Sequence, residues 1–226
     1  MNNSLQLEEI KRFVSLLSQL KVNEDVILIG SWATYFYQSI WSKYQPIIRT
    51  TDIDFYTGFK VGSTQINLLE ILKQNNYKVD VKNGSYHQFI FNTQGFEIEF
   101  VTHLRRDQKP SFLVKNLNIK AVPLPHHEKI TLDQTFVYQF DIKSSIRIIR
   151  PSLYVVLKLL INGNRSKEKG GKDLESIKSI IPFLLDDDAE WAVFTKTVKQ
   201  LASKQRSICL KTVQNANLIE LNEYFI

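Results

Sequence analysis

"RTTDIDFYTG", at residues 49–58, follows "VILIGSWATYFY", at 26–37, and its middle five residues decide the fold. In "DIDFY", Asp52 and Asp54 fall on one face of an extended chain, and Ile53 and Phe55 fall on the other. The aspartates then stand roughly 7 Å apart by Cα and repel each other unless a cation lies between them. Mg²⁺ suits such a pair, because it takes one or two carboxylates together with substrate phosphates. A solvated edge strand with two surface aspartates fits the same alternation.

Upstream, "DVILIG" reads as a short buried strand that ends at Gly30-Ser31. A helix starting at Ser31 and running to about residue 41 would present free backbone N–H groups and a hydroxyl to phosphate oxygens. Glycine permits the close approach. Simple capping of the helix by Ser31 is the commoner use of such a pair. Downstream, "GFEIEFVTH" places Glu97 and Glu99 on one face and Phe96, Ile98 and Phe100 on the other. Pairing with "DIDFY" would bring one of these glutamates beside the aspartates. Three acids can bridge two metal ions and act on a substrate hydroxyl. Alone, the two glutamates fit a solvent-facing strand.

The remaining pattern extends this core. An amphipathic helix is expected over 5–20, and another in "STQINLLEILKQNN" with Ser63 or Thr64 as its cap. "YKVDVK", "YHQFIFN" and "FEIEFVT" form a run of strands broken by the turn residues "NGS" and "NTQG". "NIKAVPL" and "TFVYQFD" supply edge strands, and "SIRIIRP" a further strand closed by Pro151. Helices follow at 152–161, 172–184, 187–203 and from 208 onward. The fold class expected is α+β, a mixed sheet with flanking helices followed by a C-terminal helical domain. The domain boundary falls near 150, giving domains 1–150 and 151–226.

With 226 residues, 43% hydrophobic and 23% charged, the composition is that of a globular protein. A net charge of +6 fits an anionic partner such as a nucleotide or RNA, and equally a solubility charge. One cysteine, Cys209, excludes an internal disulfide and a cysteine-rich metal site. No signal-peptide pattern opens the chain and no apolar run approaches the roughly 20 residues that span a bilayer, so a cytoplasmic location without a membrane is expected. The four histidines show no metal-ligand spacing; His126 and His127 read as loop surface, and Trp32 and Cys209 as core.

"LYVVLKLLI" is apolar except for Lys158, which either snorkels to the surface or is kept for a partner. From 143 to 178 nine Lys/Arg face three acids, which concentrates the net charge there. Within it "NRSKEKGGK" reads as a basic loop, suited to a triphosphate or an RNA backbone, or simply solvated.

Gly-Ser opening a helix, Asp-x-Asp on the next strand and an acid on a later strand resemble the polymerase-β-type nucleotidyltransferase superfamily. "RTTDIDF" and "PSLYVVLKLLINGNRSKEKGGKDLESI" are similar to its branch of small bacterial nucleotidyltransferases, which includes abortive-infection-type toxins; the likeness covers residues 25–185. The resemblance implies that Gly30 and Ser31 bind phosphate and that Asp52 and Asp54 hold two Mg²⁺ ions. Glu99, directly before two apolar residues, matches the third acid, with Glu97 as runner-up. Arg49, Lys158, Lys172 and Asp173 match the branch's nucleotide-binding positions. The implied reaction moves a nucleoside monophosphate from an NTP such as ATP to an acceptor hydroxyl and releases pyrophosphate. The implied acceptors are RNA, in particular a tRNA 3′ end, a small molecule, or a protein side chain. A toxin member would also have a cognate antitoxin as partner. The third acid is usually aspartate in the family, and the interval from Ser31 to Asp52 is long for its compact members. A second function class is a binding module that keeps the fold without transfer. The glutamate favours it, and the intact Asp52 and Asp54 oppose it.

Overall fold

The structure is a computed structural model that describes residues 3–48, 50–58, 65–82, 84–91, 96–104 and 109–226. The chain separates into two compact units. The first comprises Met1–Ala33, Arg49–Lys129 and Thr135–Ile148; the second comprises Thr34–Ile48, Ile130–Gln134 and Ile149–Ile226.

The first unit is built on a mixed sheet. Its strands are β1 (Ile27–Ile29), β2 (Asp52–Tyr56), β3 (Tyr77–Lys82), β4 (Tyr86–Phe91), β5 (Phe96–His103), β6 (Phe112–Val114), β7 (Ile119–Leu124), β8 (Thr135–Asp141) and β9 (Ser144–Ile149). They lie in the order β3-β4-β5-β2-β1-β9-β8, with β7 also paired to β5 and β6 to β7. β2 runs parallel to β5, and β1 parallel to β9. β4 and β7 share one edge of β5: β4 pairs with Phe96 to Glu99, β7 with Val101 to His103.

Alternation separates the two faces of this sheet. Ile53, Phe55, Phe89, Ile98 and Phe100 are fully buried. Helix α1 (Asn3–Gln19) covers them through Phe13, and its Ile10 and Leu17 are buried as well. The Phe13 ring lies 5.0 Å from Phe55, 5.8 Å from Tyr77 and 6.1 Å from Phe100. Each such aromatic contributes roughly 1.5–3 kcal/mol by burial, which anchors the strands at the parity the sequence predicts. Tyr77 also donates a 2.7 Å hydrogen bond to Glu9, whose carboxyl burial holds above the usual carboxylate range.

Two expectations for this unit are corrected. The helix anticipated from Ser63 or Thr64 begins at Leu68 (α3, Leu68–Gln74, with α2 introduced below), and Asn67 is its cap, accepting from the Glu70 N–H at 3.3 Å. Ser63 and Thr64 lie outside the described residues. His127 is buried in the turn His127–Lys129, where Nδ1 bonds the Pro125 carbonyl at 2.9 Å.

The second unit is helical. Its helices are α4 (Pro151–Asn162), α5 (Lys167–Asp186), α6 (Asp188–Lys199) and α7 (Ser203–Asn215). α4 is apolar on nearly every side and packs against all three others. Pro151 opens it at a position where the missing N–H costs nothing. The segment 34–48 adds an aromatic cluster in which Trp41 stacks on Phe183 at 5.7 Å and donates to Asp187 at 2.9 Å.

"NRSKEKGGK" is mostly helix rather than loop. α5 starts at Lys167, where the Ser166 hydroxyl accepts from the Lys169 N–H at 3.4 Å. Gly170 is tolerated there because the end of α4 lies against it. Asn162 Nδ2 donates to the Gly170 carbonyl at 2.9 Å, and a β-carbon on Gly170 would sit 3.3 Å from that nitrogen. The helix expected over 187–203 ends at Lys199, and α7 starts at Ser203, where Gln205 accepts from the Ala202 N–H at 3.1 Å. Cys209 and Trp32 are buried as expected. Among the described residues no helix is long and apolar enough to cross a membrane.

Candidate active site

The register between β2 and β5 assembles the site. Asp52 stands opposite Glu97, and Asp54 opposite Glu99. Residues directly opposite in a sheet project from the same face. All four carboxylates therefore share the face that α1 does not cover, and all four are half-buried. Both glutamates, not one, face the aspartates.

Gly30 follows β1, whose Ile29 stands opposite Asp54. Its φ of +68° lies in the left-handed region. A β-carbon there would collide with Asp54 Oδ2 and lie 3.2 Å from Cγ. Glycine is thus required twice, by its backbone and by the carboxylate against it. Helix α2 (Gly30–Ala33) is one turn long and continues as a 3₁₀ helix over Thr34–Ser39. The longer α-helix expected to about residue 41 does not form. What Gly30 and Ser31 offer a phosphate is their local N–H groups and the Ser31 hydroxyl, without a long helix dipole behind them.

Gln88 on β4 was not singled out by its sequence. It stands opposite Glu99 and is buried. Its Nε2 donates to Glu97 Oε2 at 2.5 Å and to Glu99 Oε1 at 2.7 Å. Lys82 Nζ lies 3.6 Å from Glu97 Oε1. The available signal was parity: in "YHQFIF" Gln88 precedes Phe89, which enters the core, so the two point to opposite faces and Gln88 falls on the acids' side.

Burial, then the charges of Asp54, Asp52 and Glu97, push the Glu99 carboxyl up to about 7, against a smaller opposing effect of the Gln88 hydrogen bond. Burial, then the charges of Glu99, Glu97, Asp52 and Asp54, raises the Tyr86 phenol. A face of this kind draws a proton or a cation. Hard carboxylate oxygens on adjacent strands fit Mg²⁺ in donor chemistry. Among the described residues, no three His, Cys, Asp or Glu side chains converge on one metal-sized position. The Gln88 amide lies between two of the donors. The strands carry the four carboxylates to one face.

A second cluster belongs to the helical unit. Lys158 of α4 meets Asp173 Oδ1 at 2.6 Å, and Arg165 meets Asp173 Oδ2 at 3.0 Å. Lys158 also lies 5.4 Å from the Tyr154 ring centre. The structure thus joins Lys158 to Asp173 and adds Arg165, which the sequence did not flag. Lys172 does not join them; it pairs with Glu168 at 2.7 Å on the exposed side of α5. Arg49 lies outside the described residues.

One apolar face, one acidic face and a glycine turned against a carboxylate make the first unit a mixed-sheet α+β domain. A sequence model of the family described as nucleotidyltransferase matches residues 8–196. The chain belongs to that family and is a transferase. Its fold is similar to the crystal structure of an antigenic nucleotidyltransferase-like protein from Paracoccidioides brasiliensis. The TM-score is 0.54 at 18% identity, over 96% of this chain and 92% of that one. A search of curated proteins finds no match.

Proposed function

We propose that the protein transfers a nucleoside monophosphate from an NTP to an acceptor hydroxyl, using Mg²⁺ held by Asp52, Asp54 and Glu99. The observation that carries this reading is the register that sets Asp52 and Asp54 against Glu97 and Glu99 on one face. When bound, Mg²⁺ would offset the triphosphate charge and polarise the α-phosphoryl group. Gly30 and Ser31 bind phosphate oxygens through backbone N–H groups and the hydroxyl. Glu99 accepts the proton of the attacking hydroxyl. A bond forms between the acceptor oxygen and the α-phosphorus, the bond to the bridging oxygen breaks, and pyrophosphate leaves. Arg49, Lys158, Lys172 and Asp173 are assigned to nucleotide contacts by sequence pattern. Within the helical unit, Asp173 fixes the position of Lys158.

RNA is the acceptor that the net charge of +6 favours. The test is transfer from each of the four NTPs, radiolabelled at the α-phosphate, to total RNA and to total protein, beside Asp52→Ala/Asp54→Ala. Label in RNA that requires both aspartates supports the reading and names the base. Label in protein moves the acceptor to a side chain. No transfer and no NTP binding by calorimetry overturns it.

A further inference from the structure

The structure assigns Gln88 and Glu97 as positioning residues that leave Glu99 as the working acid; the inference rests on the transferase reading above. Glu97 and Glu99 differ in how their oxygens are used. Glu97 has Oε2 bound by the Gln88 amide and Oε1 within 3.6 Å of Lys82. Glu99 has Oε1 bound by the same amide nitrogen at 2.7 Å, and Oε2 remains. Both hydrogens of one amide group are thus committed to two neighbouring carboxylates. This is the geometry in which a neutral donor does for the pair what a cation would otherwise do.

The placement is costly. Gln88 is 1% exposed, and its Oε1 is buried with no hydrogen-bond partner. A buried amide oxygen left unsatisfied is destabilising. A purely packing role would be filled better by an apolar side chain. Reversing the amide would set its oxygen against two carboxylates, so the orientation is fixed by charge. Lys82, Glu97, Gln88 and Glu99 form a line from β3 to β5. Its end is a carboxylate opposite Asp54 with one oxygen engaged. Glu97 is the anchor of that line and Glu99 its product. Partners that orient a ligating group typically change metal affinity or activity by 10–100-fold when removed.

The test uses Mn²⁺ as the probe ion, read by calorimetry and electron paramagnetic resonance on the full chain, together with NTP turnover. Gln88→Met keeps length and removes the donors. The expected result is Mn²⁺ affinity weakened roughly tenfold or more and kcat lowered, with KM for the NTP within about twofold. Glu97→Gln keeps an acceptor for the Gln88 amide and is expected to weaken Mn²⁺ binding by roughly threefold to tenfold, less than Gln88→Met, whereas Glu99→Gln loses it. If Gln88→Met fails to fold, Gln88→Asn withdraws the amide by one methylene and is expected to show an intermediate loss. Wild-type affinity in the folded Gln88 variants overturns the inference. Loss on Glu97→Gln with retention on Glu99→Gln also overturns it and moves the third acid to Glu97, while leaving nucleotidyl transfer at Asp52 and Asp54 intact. Absence of Mn²⁺ and NTP binding in the parent, with the fold intact by circular dichroism, overturns both.

Discussion

Gly30 lies against the carboxylate of Asp54 so closely that its own α-hydrogen takes the place where any β-carbon would meet Oδ2. The two residues come from neighbouring strands and are joined by the pairing of Ile29 with Asp54. The proposed phosphate turn and metal ligand are therefore one packed unit, and a change in either is felt by the other.

Gly30→Ala should act on both stability and activity. The left-handed backbone alone costs a non-glycine residue about 1–2 kcal/mol, and displacement of Asp54 adds to it. The expected outcome is a lowered melting temperature together with weaker NTP binding. Calorimetric binding unchanged from the parent would show that Asp54 tolerates the shift.

Asp54→Asn should separate stability from function. Removing one of four like charges relieves repulsion on the acidic face, so the metal-free protein should melt about 2 °C or more higher. Transfer should fall by about two orders of magnitude or more. Mg²⁺ should raise the melting temperature of the parent and leave the variant unchanged. A variant that melts lower without metal would contradict the repulsion described for this face.

In the helical unit, the order of two substitutions is the prediction. Lys158→Met leaves Asp173 with Arg165 and should cost about 1–3 kcal/mol. Asp173→Asn leaves two cations facing one another and should cost about 3–5 kcal/mol. Urea unfolding measures both, and the reverse order would mean that Arg165 does not hold the carboxylate.

Asp25 supplies a pH dependence remote from the site. Burial, then the charge of Glu24, raises its carboxyl from 3.8 to about 6. The folded state thus holds this proton more tightly than the unfolded state. Above about pH 6 the group is charged in both states and folding bears the full cost of burying the charge. That cost fades as pH falls through 6 toward 4. Asp25→Asn should be more stable than the parent at pH 8, and the gap should close between pH 6 and 4. A gap that is constant across that window would show that Asp25 titrates normally.

The parity of "DIDFY" and "FEIEFVT" was legible because alternation is local: each apolar residue needs only its own neighbours to declare a face. The pairing of β2 with β5 was not. It depends on contacts between residues about 45 positions apart, so the sequence alone did not show that both Glu97 and Glu99 stand opposite an aspartate. Gln88 escaped notice for a related reason. An amide in a strand has no spacing signature, and its meaning comes from two carboxylates on another strand.

The differing helix boundaries trace to contacts beyond the local sequence pattern. Gly170-Gly171 pointed to a loop, yet tertiary contact with Asn162 and the cap by Ser166 outweigh the roughly 1 kcal/mol penalty of each helical glycine. Ser63 and Thr64 offered plausible caps, but Asn67 is shared: its Oδ1 also accepts from Asn118 Nδ2 at 2.9 Å, a contact that no local pattern contains.

The alignment of β2 with β5 has a consequence for any sample of the protein. A slip of one residue between these strands would turn Asp52, Asp54, Glu97 or Glu99 toward Phe13 and bring phenylalanines out into water. The apolar side of the sheet therefore proofreads the acidic side. A molecule that has completed its core has its carboxylates in line, and one that has not is unfolded rather than folded and inactive. Specific activity in a preparation should then track the folded fraction in proportion, with no correctly compact but misaligned population to dilute it.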